Sequence, residues 1–193
     1  MKNILVELMS NFIDLTDEEK LSIMAAFPIK TFDKGTPLLK EGQIAKDAFL
    51  VIKGCVRQYF NSSDGEEKTT DFYTEFQSAV NFDSIANHRP SKYFLTCTEN
   101  STIAIINAEK ENILYKKHPR FGEVCRVEME KMMGEKQDSM SEFKSLKPKE
   151  RYLNLLENRP ELVNRVPQYQ LASFLGIRPE TLSRIRKRIS LEG

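Results

Sequence analysis

The chain has 193 residues, 40% of them hydrophobic and 30% charged, with a formal net charge of +1. That length admits one or two domains of ordinary globular composition, and no stretch approaches the ~20 apolar residues that a membrane-spanning helix needs. Cys55, Cys97 and Cys125 are odd in number and far apart, which excludes a disulfide framework and a paired-cysteine metal site and leaves buried free thiols.

The N-terminal run MKNILVELMSNF carries one lysine, is interrupted by Glu7, and lacks the small-residue cleavage site of a secretory signal. A cytoplasmic location is the expectation. From about Lys30 to Asn107 the sequence reads as strands: short β-branched or aromatic runs divided by turn residues. Phe49, Val51 and Val56 nearly alternate around Gly54, and Asp64-Gly65 between two strand-like runs signals a hairpin. The run YFLTCTENSTIAIIN adds two strands around Glu99-Asn100. A small antiparallel barrel or sandwich is predicted.

From His118 to Leu146 the pattern becomes helical. Cys125, Met129, Met132, Lys136, Ser139, Phe143 and Leu146 are spaced by alternating fours and threes, as along a coiled-coil seam. Dimerisation is the expected use of that face, against a helix packed only on its own domain. Lys136 and Ser139 are polar at its centre.

From residue 147 onward, Pro148 suits a first helical turn, KERYLNLLENRP is amphipathic, and PELVNRVP reads as a connector. Two closely spaced helices follow, QYQLASFLG and RPETLSRIRKRIS. A steep crossing of two helices needs a small residue in the first, a turn-former between them, and apolar residues facing the shared core. Ala172 and Gly176 fill the first two roles, and Leu171, Leu175, Ile177, Leu182 and Ile185 the third. Arg178, Glu180, Thr181, Ser183, Arg184, Lys187 and Arg188 face outward on the last helix, with Leu182, Ile185 and Ile189 as its buried stripe. Such an outer face suits base reading: Arg pairs with guanine O6 and N7, Glu accepts from cytosine N4, and Thr meets a thymine methyl. Residues 146–193 hold ten Lys plus Arg against five Glu, leaving 19 basic and 23 acidic residues elsewhere. A basic tail on an acidic body points to a polyanion such as double-stranded DNA.

These residues resemble the family of cyclic-AMP receptor protein and FNR-type transcription regulators over nearly the whole chain. The match is carried in the tail by LASFLGIRPETLSRIRKRI, with Glu180, Ser183 and Arg184 in the family's recognition-helix pattern. In the body it is carried by Gly35, Glu41-Gly42 and Gly54, with Phe32, Leu38, Phe49 and Val51 as core. The resemblance implies an α+β chain: an antiparallel jelly-roll β-barrel of the cyclic-nucleotide-binding type (1–117), a long dimerisation helix (118–146) and a helix-turn-helix domain (147–193). It assigns Glu180 and Arg184 to base contacts. Pro179 stands where relatives often carry an arginine, whose contact is either lost or taken over by Arg178.

The stretch QSAVNFDSIANHRPSKYFL departs from the family's nucleotide site, with Val80-Asn81 in place of Gly-Glu and Ser91-Lys92 near the arginine position. Asp83, Arg89, Ser91, Lys92 and Tyr93 either bind a small anionic effector other than cyclic AMP or line a solvated loop. The segment between Pro160 and Pro167 is too short for the β-hairpin wing of many relatives, so backbone contacts are assigned to Gln168, Tyr169 or Arg165. No cofactor and no metal are expected: no cysteine cluster is present, and His88 and His118 lack partners at ligand spacing. No nucleophile–base pair or phosphate-binding glycine loop suggests an enzyme.

The functional expectation is a homodimeric, sequence-specific DNA-binding regulator, with a dimer interface at Cys125, Met129, Met132 and Phe143 and a palindromic operator. RNA polymerase is a further candidate partner. The alternative is a ligand-binding module acting through protein partners.

Overall fold

Residues 3–192 are described by a computed structural model. Asn3 accepts hydrogen bonds from the amides of Leu5 and Val6 and opens helix α1 (Ile4–Ser10). Thr16 and Glu19 cap each other's backbone amides to open α2 (Asp17–Ala26), a reciprocal box that satisfies two otherwise unpaired donors. Neither helix is anticipated by the reading above, although the Thr16-to-Glu19 spacing is a start signal that marks the second. Leu5, Ile23 and Phe27 from this pair pack against Leu114 and Phe121 further along the chain.

Eight strands follow: β1 (Ile29–Phe32), β2 (Pro37–Leu39), β3 (Asp47–Lys53), β4 (Val56–Asn61), β5 (Glu67–Tyr73), β6 (Ser78–Ala79), β7 (Phe94–Cys97) and β8 (Ser101–Asn107). They form two antiparallel four-stranded sheets, ordered β1-β8-β3-β6 and β2-β7-β4-β5. Alternation decides what faces inward. Phe49 and Val51 from β3, Val56 from β4, Leu95 and Cys97 from β7, and Ile103 from β8 fill the space between the sheets. The Asp64-Gly65 hairpin is present, with Gly65 at φ +80° and β4 paired to β5. The Glu99-Asn100 segment does join two strands, yet β7 and β8 pair into different sheets, so it is a crossing between layers and not a hairpin.

Helix α3 (Phe82–Asn87) lies between β6 and β7, and α4 (Ala108–Lys117) leads into α5 (Pro119–Ser145). At 27 residues, α5 extends about 40 Å, and every residue from Met129 to Glu142 is exposed. No described helix is long and apolar enough to cross a membrane. Pro148 opens α6 (Pro148–Asn158), and α8 (Gln168–Phe174) and α9 (Pro179–Glu192) complete the tail. The segment expected to be a plain connector contains a one-turn helix, α7 (Leu162–Arg165), because fully buried Leu162 anchors it in the C-terminal core.

That core is shared between the two halves of the molecule. Tyr152, Leu155, Leu162, Leu171, Ala172, Leu175 and Leu182 pack in one cluster with Cys55 and Phe72 of the barrel. Phe72 meets Phe174 edge to face, with ring centroids 5.5 Å apart. Strand β5 is at the edge of its sheet, where unpaired amides and carbonyls invite further strands. Here α8 closes that edge: the Ser173 hydroxyl accepts from the Thr69 amide and donates to the Glu67 carbonyl.

Candidate nucleic-acid interface

The α8–α9 pair is built as the sequence requires. Gly176 has φ +69° in the turn, and Ala172 is fully buried where the helices approach. The Arg151 guanidinium donates to the Leu175 carbonyl, which satisfies an acceptor left open at the end of α8. Leu171, Leu175 and Leu182 are buried, with Ile177, Ile185 and Ile189 packed around them.

With the apolar stripe of α9 fixed inward, its polar face points to solvent. Arg178, Glu180, Ser183, Arg184, Lys187 and Arg188 are exposed, and Thr181 is half-buried with its hydroxyl 3.5 Å from the Arg184 guanidinium. Glu180 and Ser183 share one open cleft with Arg184 and with Gln168 and Tyr169 from the start of α8. The structure therefore brings together five of the ten residues assigned to DNA. Arg186 is also exposed and was not among them.

Arg165 was assigned to backbone contacts, and the structure corrects this. Its guanidinium faces the barrel, donating to both carboxylate oxygens of Glu75 at 2.8 Å, to Glu99 at 2.5 Å and to the Gly54 carbonyl at 2.8 Å. A cation held by two carboxylates has no free fork for a phosphate. Nearby, Arg159 donates to the Phe72 carbonyl at 2.7 Å and lies 3.6 Å from Asp71, which also pairs with Lys136 of α5.

The Arg165 guanidinium holds the Glu75 carboxyl near 2, well below its ordinary 4.5, against the opposing effect of burial. Because the folded value is depressed, this contribution is complete above the ordinary value and is lost as pH falls towards 2. Glu19, lowered to about 2 chiefly by Arg120, acts in the same window at the N-terminal helices. Comparison with Glu75→Gln separates the two. The melting temperature of the parent chain should fall more steeply than that of Glu75→Gln between about pH 5 and 2, with the curves converging at the acid end. Parallel curves would show that the pair contributes nothing to folding.

Along α5, Met129 and Met132 are 41% and 37% exposed, but the other two assigned dimer residues are partly occupied. Cys125 is half-buried beside Tyr115, and the Phe143 ring lies 4.2 Å beneath the Arg151 guanidinium. Met133 and Met140 are more exposed, at 67% and 52%, and lie four and eleven residues beyond Met129 on the same helical face. Met129, Met132, Met133 and Met140 are thus exposed apolar side chains along this stretch of α5.

Around α3 the polar groups bind one another. The Asn81 side chain accepts from the Ser84 amide and donates to Ser91; Ser84 accepts from the Ala45 amide and donates to the Arg89 carbonyl. The Ser91 hydroxyl, 3% exposed, also donates to the Tyr93 carbonyl and accepts from the Tyr93 amide, so its hydrogen-bonding capacity is filled. Asp83, Arg89 and Lys92 are exposed, and Tyr93 is half-buried edge-on to Phe60.

Residues 29–118 match the family model for the cyclic nucleotide-binding domain. No curated protein matches the chain in sequence. Among solved structures it is similar to CLP of Xanthomonas campestris, described as a c-di-GMP responsive global regulator, at 18% identity and a TM-score of 0.70 over 92% of this chain and 93% of that one. FixK2 from Bradyrhizobium japonicum aligns at 15% identity and TM-score 0.70 over 86% of each chain. The catabolite activator protein of Thermus thermophilus aligns at 18% and 0.51, over 94% of this chain and 87% of that one. At such identities the likeness establishes the fold. Residues 29–118 thus match the cyclic nucleotide-binding domain, in a chain whose fold is that of CLP, FixK2 and the catabolite activator protein.

Proposed function

We propose that the chain is a sequence-specific DNA-binding transcription regulator that acts as a homodimer. The observation that carries this reading is the cleft shared by α8 and α9, where exposed Glu180, Ser183 and Arg184 stand beside Gln168 and Tyr169 on the basic tail. A helix of this kind enters the major groove, its acidic and guanidinium groups reading base edges and Lys187 and Arg188 meeting phosphates. Two copies pair along the face of α5 that carries Met129 and Met132, extended by Met133 and Met140. Their α9 helices then address successive major grooves of a palindromic operator, ~34–36 Å apart.

An anionic effector at the α3 loop rests on Arg89 and Lys92, because Ser84 and Ser91 are already bonded within the loop. Nothing else in that loop supplies a fixed cation.

Selection of bound sites from random-sequence DNA, followed by salt titration, tests the main reading. A palindrome should emerge, its affinity falling with salt, and Lys187→Ala should weaken all sequences alike and reduce the salt slope by about one per lost phosphate contact. No DNA retention at low salt would instead favour a surface that docks protein partners.

A further inference from the structure

The contacts between barrel and tail combine apolar packing with cations from the tail placed on carboxylates of the barrel. Phe72 and Cys55 from the barrel lie inside the core of the C-terminal helices. Beside this packed centre, Arg165 joins Glu75, Glu99 and the Gly54 carbonyl. Asp71, 8% exposed, takes Arg159 from the tail and Lys136 from the long helix. Together these contacts tie α6–α9 to β5, yet they leave the outward face of α9 uncovered.

Most of that core belongs to the tail, and the barrel completes it with Cys55 and Phe72. So small a unit is marginal alone. Its orientation is consequently set by the barrel face. The residues responsible belong to the chain itself.

We propose that Arg165 is a positioning residue: gripped by Glu75 and Glu99, it locks the DNA-binding domain onto the barrel and sets the direction of α9. This rests on the DNA-binding reading for its effect on affinity, but the lock can be observed without DNA.

The test uses the 193-residue chain with Arg165→Ala and, from the opposite side of the contact, Glu75→Gln combined with Glu99→Gln. Hydrogen exchange of the β5 segment, whose Thr69 amide is held by Ser173, reads the lock directly. It should accelerate in both variants. Affinity for selected DNA should fall about 10-fold in each, and combining all three substitutions should add little, since they break one contact.

Exchange unchanged from the parent chain in both variants would overturn the lock. A loss of affinity with Arg165→Ala but not with the carboxylate pair would also overturn it, because it would place Arg165 on DNA phosphate. If the parent itself retains no DNA, the DNA-binding reading fails, while faster β5 exchange in the variants still establishes the lock.

Discussion

Gly54→Ala is expected to destabilise the chain by about 2–6 kcal/mol, the sum of a backbone and a packing penalty. Gly54 has φ +112°, which L side chains rarely adopt, and a Cβ placed there would lie 2.3 Å from the Ser101 hydroxyl and 2.7 Å from its Cα. Ser101 is fully buried and its hydroxyl donates to the Glu99 carbonyl, so it has no direction in which to retreat. The displacement would also reach the barrel–tail contact, because the Gly54 amide donates to Glu75 and its carbonyl accepts from Arg165. Gly42→Ala is the control: φ is +83°, but no atom lies within 4 Å of the added methyl. Denaturant midpoints should fall far more for Gly54→Ala than for Gly42→Ala. Equal losses would mean that dihedral strain alone is at issue and that the Ser101 contact relaxes freely.

Arg184→Ala should produce the largest functional loss. The side chain is exposed and its only hydrogen bond among the described residues is a 3.5 Å contact with Thr181, so its removal leaves the fold intact. A bidentate base contact contributes about 1–3 kcal/mol of discrimination, and a two-fold complex loses two of them, about 2–6 kcal/mol together. The loss should be confined to sites that keep the base pair read by Arg184, with discrimination at that position relaxed. Competition between the selected site and its single-base variants measures this. A uniform weakening across all sequences would reassign Arg184 to the phosphate backbone.

The α8–α9 unit was legible in the sequence because its determinants are local. A 3.6-residue period, a small residue at Ala172 and a turn at Gly176 all fall within a short stretch. The strands were legible for the same reason, but their partners were not. Glu99-Asn100 has hairpin chemistry, yet which layer receives β8 depends on the packing of both sheets. The role of Arg165 was illegible on similar grounds, since Glu75 and Glu99 lie 90 and 66 residues away in sequence. On α5 the spacing marked Met129 and Met132, which are exposed, but could not show that Cys125 packs on its own chain beside Tyr115. Sequence spacing defines a face but not what already occupies it.

The closure of β5 by Ser173 and Phe174 bears on how far this chain is modular. The matched domain ends at residue 118, which suggests a convenient place to cut. A barrel released there would bare Phe72 and an open strand edge, the combination that recruits strands from neighbouring molecules. The tail set free would lose the two barrel side chains that complete its interior. Exchanging this barrel or this tail for a relative's therefore divides a shared interior, so a chimera keeps that packing only if it carries both sides of the junction.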